Sequence, residues 1–217
     1  MSSNAIPSWP ALAPAGPPPI PPSGREGLPS DKPAWRAAAQ EVLRCRSAQA
    51  RTQHRQALEH HVLLLAQQRG ARLVAIFTPL GAEAESRDMA NALLAHGFSL
   101  AFPRLLPDGS AMQMVPCAGP AALRPRPRTR LLEPEGPACA ATDLDMIVVP
   151  TLAISPELVR LGHGGGHYER YLPTLRADCT TIAAVATGCV WQWGPQEPQD
   201  CRMQLACTER GLFGAQT

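Results

Sequence analysis

Lysine is nearly missing from this chain of 217 residues: of its 20 basic residues, only Lys32 is lysine and the rest are arginine. An excess of charge of one sign is also missing, because the formal net charge is +2. Such a balance gives no overall field that attracts nucleic acid or an anionic membrane. No apolar run approaches the ~20 residues that span a bilayer, and the N-terminus lacks the early positive charge of a secretory signal. We therefore expect a cytoplasmic protein that binds neither membrane nor nucleic acid.

Closely spaced cysteine pairs are absent as well. The chain has seven cysteines, an odd number, and none of them forms a Cys-x-x-Cys motif. Zinc fingers and disulfide frameworks need such pairs. Reduced thiols in a cytoplasmic protein are the expected state.

Proline and glycine divide the chain into two parts. Residues 1–29 contain nine prolines, and such a segment favours a disordered or polyproline-like leader over helix or sheet. Residues 30–217 are long enough for a single domain with a sizeable core. We expect the leader to be a passive tail, with docking to a proline-binding module as the alternative.

Periodic apolar residues in residues 30–217 predict helices that alternate with strands. Helices are predicted from Lys32 onward, where Pro33 suits a first turn, and at residues 53–68, 86–96 and 167–176. Strands are predicted at residues 72–77, 98–103, 112–115, 144–150 and 181–186. This alternation indicates an α/β fold in three layers, with a mostly parallel sheet and helices on both faces.

The strongest functional signal is the segment RLGHGGGHYER at residues 160–170. It follows an apolar run at residues 146–154 that is typical of a buried strand, and it precedes a predicted helix. Glycines in that place let backbone N–H groups converge on an anion, because side chains would block the approach. Arg160 and Arg170 add fork-shaped positive charge suited to phosphate oxygens.

Known nucleotide motifs do not fit this segment. No Gly-Lys-Ser/Thr follows it, which excludes a P-loop, and His167 breaks the dinucleotide fingerprint at its third glycine. On the glycines alone, an unliganded surface loop is an equal alternative. His163 and His167 are four residues apart, but the glycines between them disfavour the helical spacing of a metal-binding pair. The arginine- and proline-rich residues 124–130 favour a solvated loop over an RNA or folate-tail site, since no aromatic residues are interleaved for stacking.

Residues 32–209 resemble the 5-formyltetrahydrofolate cyclo-ligase family, also called methenyltetrahydrofolate synthetases. The resemblance is strongest at residues 145–172, where the family shows a strand ending in Val-Pro, then Ala-Phe-Asp, then Arg-Leu-Gly-x-Gly-x-Gly-Tyr-Tyr-Asp-Arg. Shorter matches occur in the same order, at Lys32 and Arg36, FTPLGAEAES (77–86), FPR (102–104), Glu133-Pro134, Asp200 and Thr208-Glu209.

The resemblance implies ATP- and Mg²⁺-dependent conversion of 5-formyltetrahydrofolate to 5,10-methenyltetrahydrofolate, with release of ADP and phosphate. Phosphoryl transfer to the formyl oxygen would turn that oxygen into a leaving group. Ring closure by the 10-nitrogen is then intramolecular and entropically favoured. Phosphoryl transfer needs positioning and charge neutralisation more than a protein nucleophile.

Site residues are carried over from the family by position. The resemblance implies catalytic roles for Lys32, Arg160 and Glu169, with Glu169 holding Mg²⁺. It implies contacts to reduced folate from Thr78, Glu83 and His167. The nucleotide-binding residues it implies are Lys32, Arg36, Arg160, Leu161, Gly162, His163, Gly164, Gly165, Gly166, His167, Tyr168 and Arg170. We expect Lys32 to fold back onto the phosphates held by the glycine segment, in a monomeric protein.

Several positions depart from the family pattern. Ser155 replaces an Asp, Glu169 replaces an Asp, and His167 replaces a Tyr. Val159 was aligned with a common Gly, where a positive φ would be strained. The alternative function is therefore a diverged relative that binds nucleotide or folate with little turnover, and an RNA-associated protein comes third.

Overall fold

A computed structural model describes residues 31–78, 86–126, 131–192, 194 and 196–214. The predicted leader and Glu83 lie outside these residues. Within them the chain forms four α-helices: α1 (Lys32–Cys45), α2 (Ala48–Arg69), α3 (Arg87–Ala95) and α4 (His167–Tyr171). It also forms eleven strands: β1 (Leu73–Ala75), β2 (Ser99–Leu105), β3 (Met112–Cys117), β4 (Arg124–Pro125), β5 (Leu132–Glu133), β6 (Met146–Pro150), β7 (Ala153–Ile154), β8 (Arg160–Leu161), β9 (Thr180–Ala184), β10 (Leu205–Thr208) and β11 (Gly211–Gly214).

Seven strands form one sheet in the order β11-β10-β9-β6-β1-β2-β3. The five inner strands pair in parallel, and only the edge strands β3 and β11 run antiparallel to their neighbours. Strands β2 and β3 lie on one side of β1, and the later strands β6, β9, β10 and β11 lie on its other side. This reversal between β1 and β6 is a topological switch point, where open α/β sheets bind ligands at the carboxyl ends of their strands.

Local sequence signals explain the helix ends. The side chain of Asp31 caps α1 by accepting a hydrogen bond from the Ala34 N–H at 2.9 Å, and a proline stands in the first turn. Ser47 caps α2 in the same way, so this helix starts five residues earlier than predicted. It ends at Gly70, whose φ of +62° is in the left-handed region that favours glycine.

Helices cover both faces of the sheet, as predicted. The buried face of α1 packs on one side, with Ile147 and Val149 of β6 in the same cluster. The buried faces of α2 and α3 pack on the other side, with Met146 and Val148. Every residue of β6 is buried. Because successive side chains of a strand point to opposite faces, this one strand supplies both halves of the core.

Two further predicted elements differ in detail from the structure, and one hairpin was not predicted. The apolar run at residues 146–154 is two strands, β6 and β7, separated by a two-residue break. Helix α4 ends at Tyr171 and passes into a 3₁₀ turn at Leu172–Thr174, because Pro173 cannot donate the backbone hydrogen bond that a longer helix requires. The C-terminal hairpin of β10 and β11 was not predicted. No helix in the described part of the chain is both long and apolar enough to span a membrane.

Candidate active site

A cleft lies where the carboxyl ends of β1, β2 and β6 meet the glycine segment. The open space between its walls, its mouth included, is about 680 Å³. One wall is apolar and contains Pro103, Leu105 and Met112. Another part of the lining belongs to the glycine bend, which we define as residues 162–166 and of which residues 163–166 line the cleft. The remaining lining residues are Thr78, Leu131, Glu133, Pro150, Arg160, His167, Tyr168 and Glu169.

Three arginines contact the glycine bend. A Cβ added at Gly162 would lie 2.5 Å from Arg160 Nη2. A Cβ added at Gly166 would lie 2.6 Å from Arg170 Nη1. A Cβ at Gly164 would lie 3.1 Å from Arg36 Cζ. Ordinary contacts between such atoms are about 3.5–4.0 Å. The glycines therefore allow three guanidinium groups to converge on one short segment.

Arg160 is the buried member of this group. It is 3% exposed, yet it lines the cleft. Its Nε donates to the Pro150 carbonyl at 3.0 Å and its Nη1 donates to Glu169 Oε1 at 2.6 Å. The guanidinium also lies 5.1 Å from the centre of the Tyr168 ring, a cation–π contact. These contacts fix both the arginine and the carboxylate in the cleft wall.

Helix α1 approaches the same bend from a distant part of the chain. Arg36 Nε donates to the Gly162 carbonyl at 2.9 Å. Lys32, one turn earlier, forms ion pairs with Asp200 Oδ1 at 2.6 Å and with Glu197. Burial acts to lower the pKa of Lys32, but the hydrogen bonds and charges of those two carboxylates outweigh it and raise the pKa above its ordinary value. Helix α1 therefore contacts the glycine bend through Arg36, whereas the Lys32 amine is held by two protein carboxylates.

The two histidines lie beside the bend. Arg170 Nη2 donates to the Gly165 carbonyl at 3.1 Å and lies 3.2 Å from His167 Nδ1. Burial and the charge of Arg170 lower the pKa of His167. Among the described residues, no group of three or more His, Cys, Asp or Glu side chains is placed to hold a metal ion.

The hairpin that leads into the site contains the one non-glycine residue with a positive φ in the described part of the chain. The positive φ, +66°, belongs to Leu158 and not to Val159. Leu158 is fully buried, and its N–H donates to the Ser155 carbonyl at 2.9 Å, which closes the turn. Ser155 is also fully buried, and its Oγ accepts from the Val159 N–H at 3.2 Å. The Asp-to-Ser departure therefore lies in a turn and outside the residues that line the cleft.

The other predicted residues are distributed as follows. Thr78 lines the cleft, whereas Leu161 is buried in the core and does not. Sequence reasoning gave no role to Glu133, which lines the cleft, or to Glu197, which contacts Lys32. The family match at Glu133-Pro134 was the available signal for Glu133. All seven cysteines are free, and burial raises the pKa of the most enclosed thiols, such as that of Cys207 to about 12.

Comparisons with known proteins agree with one another. A sequence model of the 5-formyltetrahydrofolate cyclo-ligase family matches residues 29–209. The 5-formyltetrahydrofolate cyclo-ligase of Mycolicibacterium smegmatis is 30% identical over 151 residues, which cover 65% of this chain and 76% of that protein. The 5,10-methenyltetrahydrofolate synthetase of Aquifex aeolicus has a similar fold, with a TM-score of 0.74, 21% identity, and coverage of 86% of this chain and 93% of that one. The synthetase of Mycoplasma pneumoniae has a TM-score of 0.66, 16% identity, and coverage of 81% and 97%.

Proposed function

The chain belongs to the 5-formyltetrahydrofolate cyclo-ligase family, and from that premise we propose that it converts 5-formyltetrahydrofolate to 5,10-methenyltetrahydrofolate with Mg²⁺ and ATP. The observation that carries the proposal is the convergence of three guanidinium groups on a glycine bend at the sheet's switch point. A polyphosphate is the ligand chemistry that fits such a site, because arginine forks match phosphate oxygens and glycine permits close approach.

The residues of the bend suit a triphosphate. Arg36, Arg160 and Arg170 contribute three positive charges against its backbone, and Lys32 lies one helical turn from Arg36. Two of the arginines donate to carbonyls of the bend, which fixes its conformation before any ligand arrives. Fixed charges of this kind neutralise a transferring phosphoryl group without reorganisation.

A Mg²⁺ ion fits one carboxylate of the cleft. Glu169 lines the cleft with a side chain that is 20% exposed, and only its Oε1 is in contact with Arg160. Nucleotide-bound Mg²⁺ is held by one or two carboxylates, phosphate oxygens and water, so Glu169 is sufficient as the protein ligand. When bound, the ion would neutralise charge on the phosphates.

The apolar wall suits the folate. Pro103, Leu105 and Met112 offer a flat surface to a pterin ring, and Thr78 lies at the end of β1 beside them. Held there, the formyl oxygen receives the γ-phosphoryl group as its bond to ADP breaks. The 10-nitrogen then attacks the formyl carbon, the carbon–oxygen bond breaks, and phosphate leaves with that oxygen and, in net balance, with the proton of the 10-nitrogen. Exclusion of water by the apolar wall protects the activated formyl group from hydrolysis.

The test is direct. Purified protein mixed with 5-formyltetrahydrofolate, ATP and Mg²⁺ should develop the near-ultraviolet absorbance of the methenyl product, with one ADP formed per product. Reactions without ATP, or with a non-hydrolysable ATP analogue, are the controls. Tight folate and nucleotide binding without product would favour the alternative of a binding protein with little turnover.

A further inference from the structure

Glu133 is the second carboxylate of the cleft, after Glu169, and it stands in a different environment. It is the last residue of β5, its side chain is 14% exposed, and it lines the cleft. Its lining neighbours include Leu105 and Leu131. Glu169 belongs to the arginine-rich wall, whereas Glu133 belongs to the apolar wall that we assign to the folate.

The contacts of Glu133 engage only one of its two oxygens. Oε1 accepts hydrogen bonds from the Leu105 N–H at 3.1 Å and from Arg126 Nη1 at 3.0 Å. Arg126 is itself held by the Leu106 carbonyl at 2.9 Å. Among the described residues, Oε2 has no hydrogen-bond donor.

One oxygen of Glu133 is thus open to a hydrogen-bond donor from a ligand in the cleft, and an ionised carboxylate is a strong acceptor. A reduced pterin offers such donors in its 2-amino group, its N3–H and its N8–H. Hydrogen bonds from neutral donors to a carboxylate are stronger than those between neutral groups. The glutamate tail of the folate, by contrast, is anionic and would be repelled.

We propose that Glu133 is a specificity-determining residue that accepts a hydrogen bond through Oε2 from an N–H of the reduced pterin. This inference depends on the proposed function, because it assigns a ring orientation to the folate of that reaction. It predicts that Glu133 discriminates in favour of pterins that carry ring donors, and that the folate tail points away from β5.

Binding without turnover tests the inference. Calorimetric titration of 5-formyltetrahydrofolate into the protein without ATP should give a Kd about 10- to 100-fold weaker for Glu133→Gln than for the parent. The glutamine keeps an oxygen for the Leu105 N–H, so the fold should hold and the affinity for a non-hydrolysable ATP analogue should stay within about twofold. Glu135→Gln, at an exposed position two residues further on, is the matched control and should bind folate like the parent.

The ligand can be changed as well. A folate analogue with a methyl group in place of the 2-amino group should lose affinity for the parent if that group is the donor, and should lose less for Glu133→Gln. Failure to see this difference would move the contact to N3–H or N8–H. An unchanged folate Kd in Glu133→Gln would overturn the inference, and so would tighter binding, because tighter binding means that Glu133 faces an anionic part of the ligand. Absence of folate binding by the parent would instead overturn the proposed function itself.

Discussion

Gly162 offers a sharp test of how the cleft wall is built. Replacement by alanine adds a Cβ that would lie 2.5 Å, 2.6 Å and 2.8 Å from three atoms of the Arg160 guanidinium. Ordinary contact is about 3.5–4.0 Å, so the guanidinium must move by about 1 Å. That group is buried and hydrogen-bonded to the Pro150 carbonyl and Glu169, so any movement weakens charged hydrogen bonds. The φ of Gly162 lies outside the positive range, so backbone strain does not contribute.

The expected cost follows from these contacts. Overpacking of a rigid site costs about 1–3 kcal/mol, and each weakened charged hydrogen bond adds about 1.5–3 kcal/mol when fully lost. We expect Gly162→Ala to lower the free energy of unfolding by about 3 kcal/mol, measured by urea denaturation. Tryptophan fluorescence should report it, since Trp35 and Trp191 are buried 5.9 Å apart.

A control and a coupled variant separate this explanation from others. An added Cβ at Gly194 meets nothing closer than 3.9 Å, so Gly194→Ala should stay within about 0.5 kcal/mol of the parent. In an Arg160→Met background the cost of Gly162→Ala should fall by about 1–3 kcal/mol, because the clashing group is gone. A Gly162→Ala protein as stable as the parent, or a cost that persists without the arginine, would refute the reasoning.

Three further predictions concern charge. Asp200→Asn should lower the pKa of the Lys32 amine, because the carboxylate that accepts its hydrogen bond is lost. The chain has one lysine, so the side-chain NMR signal of ¹³C-labelled lysine reports this pKa alone. An unchanged Lys32 pKa would contradict the pairing. Glu169→Gln should raise the Mg²⁺ concentration needed for half-maximal turnover about 10-fold or more, whereas an unchanged requirement would place the metal elsewhere. Burial, with a neighbouring arginine, lowers the pKa of His54 to about 4. The contribution of neutral His54 to the free energy of unfolding should therefore be fully present above pH 6.5 and should fall towards pH 4 by up to about 1.4 kcal/mol per pH unit. His54→Asn should remove this pH dependence, whereas His96→Asn, at an exposed position, should keep it.

Local signals in the sequence were sufficient for much of the fold. Pro33 marks the start of α1, because its fixed φ acts within the first turn, and the structure adds a cap by Asp31 that was not predicted. The apolar residues of β6 predict a strand buried on both faces, because helices must cover it. The glycine bend was located by the same kind of local reasoning, since it stands between a buried strand and a helix.

Contacts between distant parts of the chain were beyond such reasoning. Lys32 and Asp200 are separated by 168 positions, and their pairing depends on how the sheet brings α1 beside the C-terminal segment. The family resemblance included both Lys32 and Asp200, but it did not indicate that they pair, and it did not include Glu197. The sequence marked Val159 as a position where a positive φ would be strained, but it did not indicate which residue of the turn takes the left-handed conformation, because the apolar pattern is the same for either. Leu158 takes that position, and its side chain is fully buried.

The ion pairs of the site give a physical reason for a divalent cation to bind together with the nucleotide. In the structure, Lys32 is held by Asp200 and Glu197, and Arg160 is held by Glu169. A triphosphate that takes over either cation leaves carboxylates without a counter-ion beside further negative charge. Partly buried carboxylates in that position are costly. ATP without a divalent cation should therefore bind weakly, and the complex of ATP with a divalent cation should bind well. If the carboxylates cause the difference, neutralising them by substitution should raise the affinity for free ATP. Glu197→Gln, at the most exposed of the three carboxylates, should give the smallest rise, and equal effects at Glu197 and Asp200 would show that burial does not govern this balance.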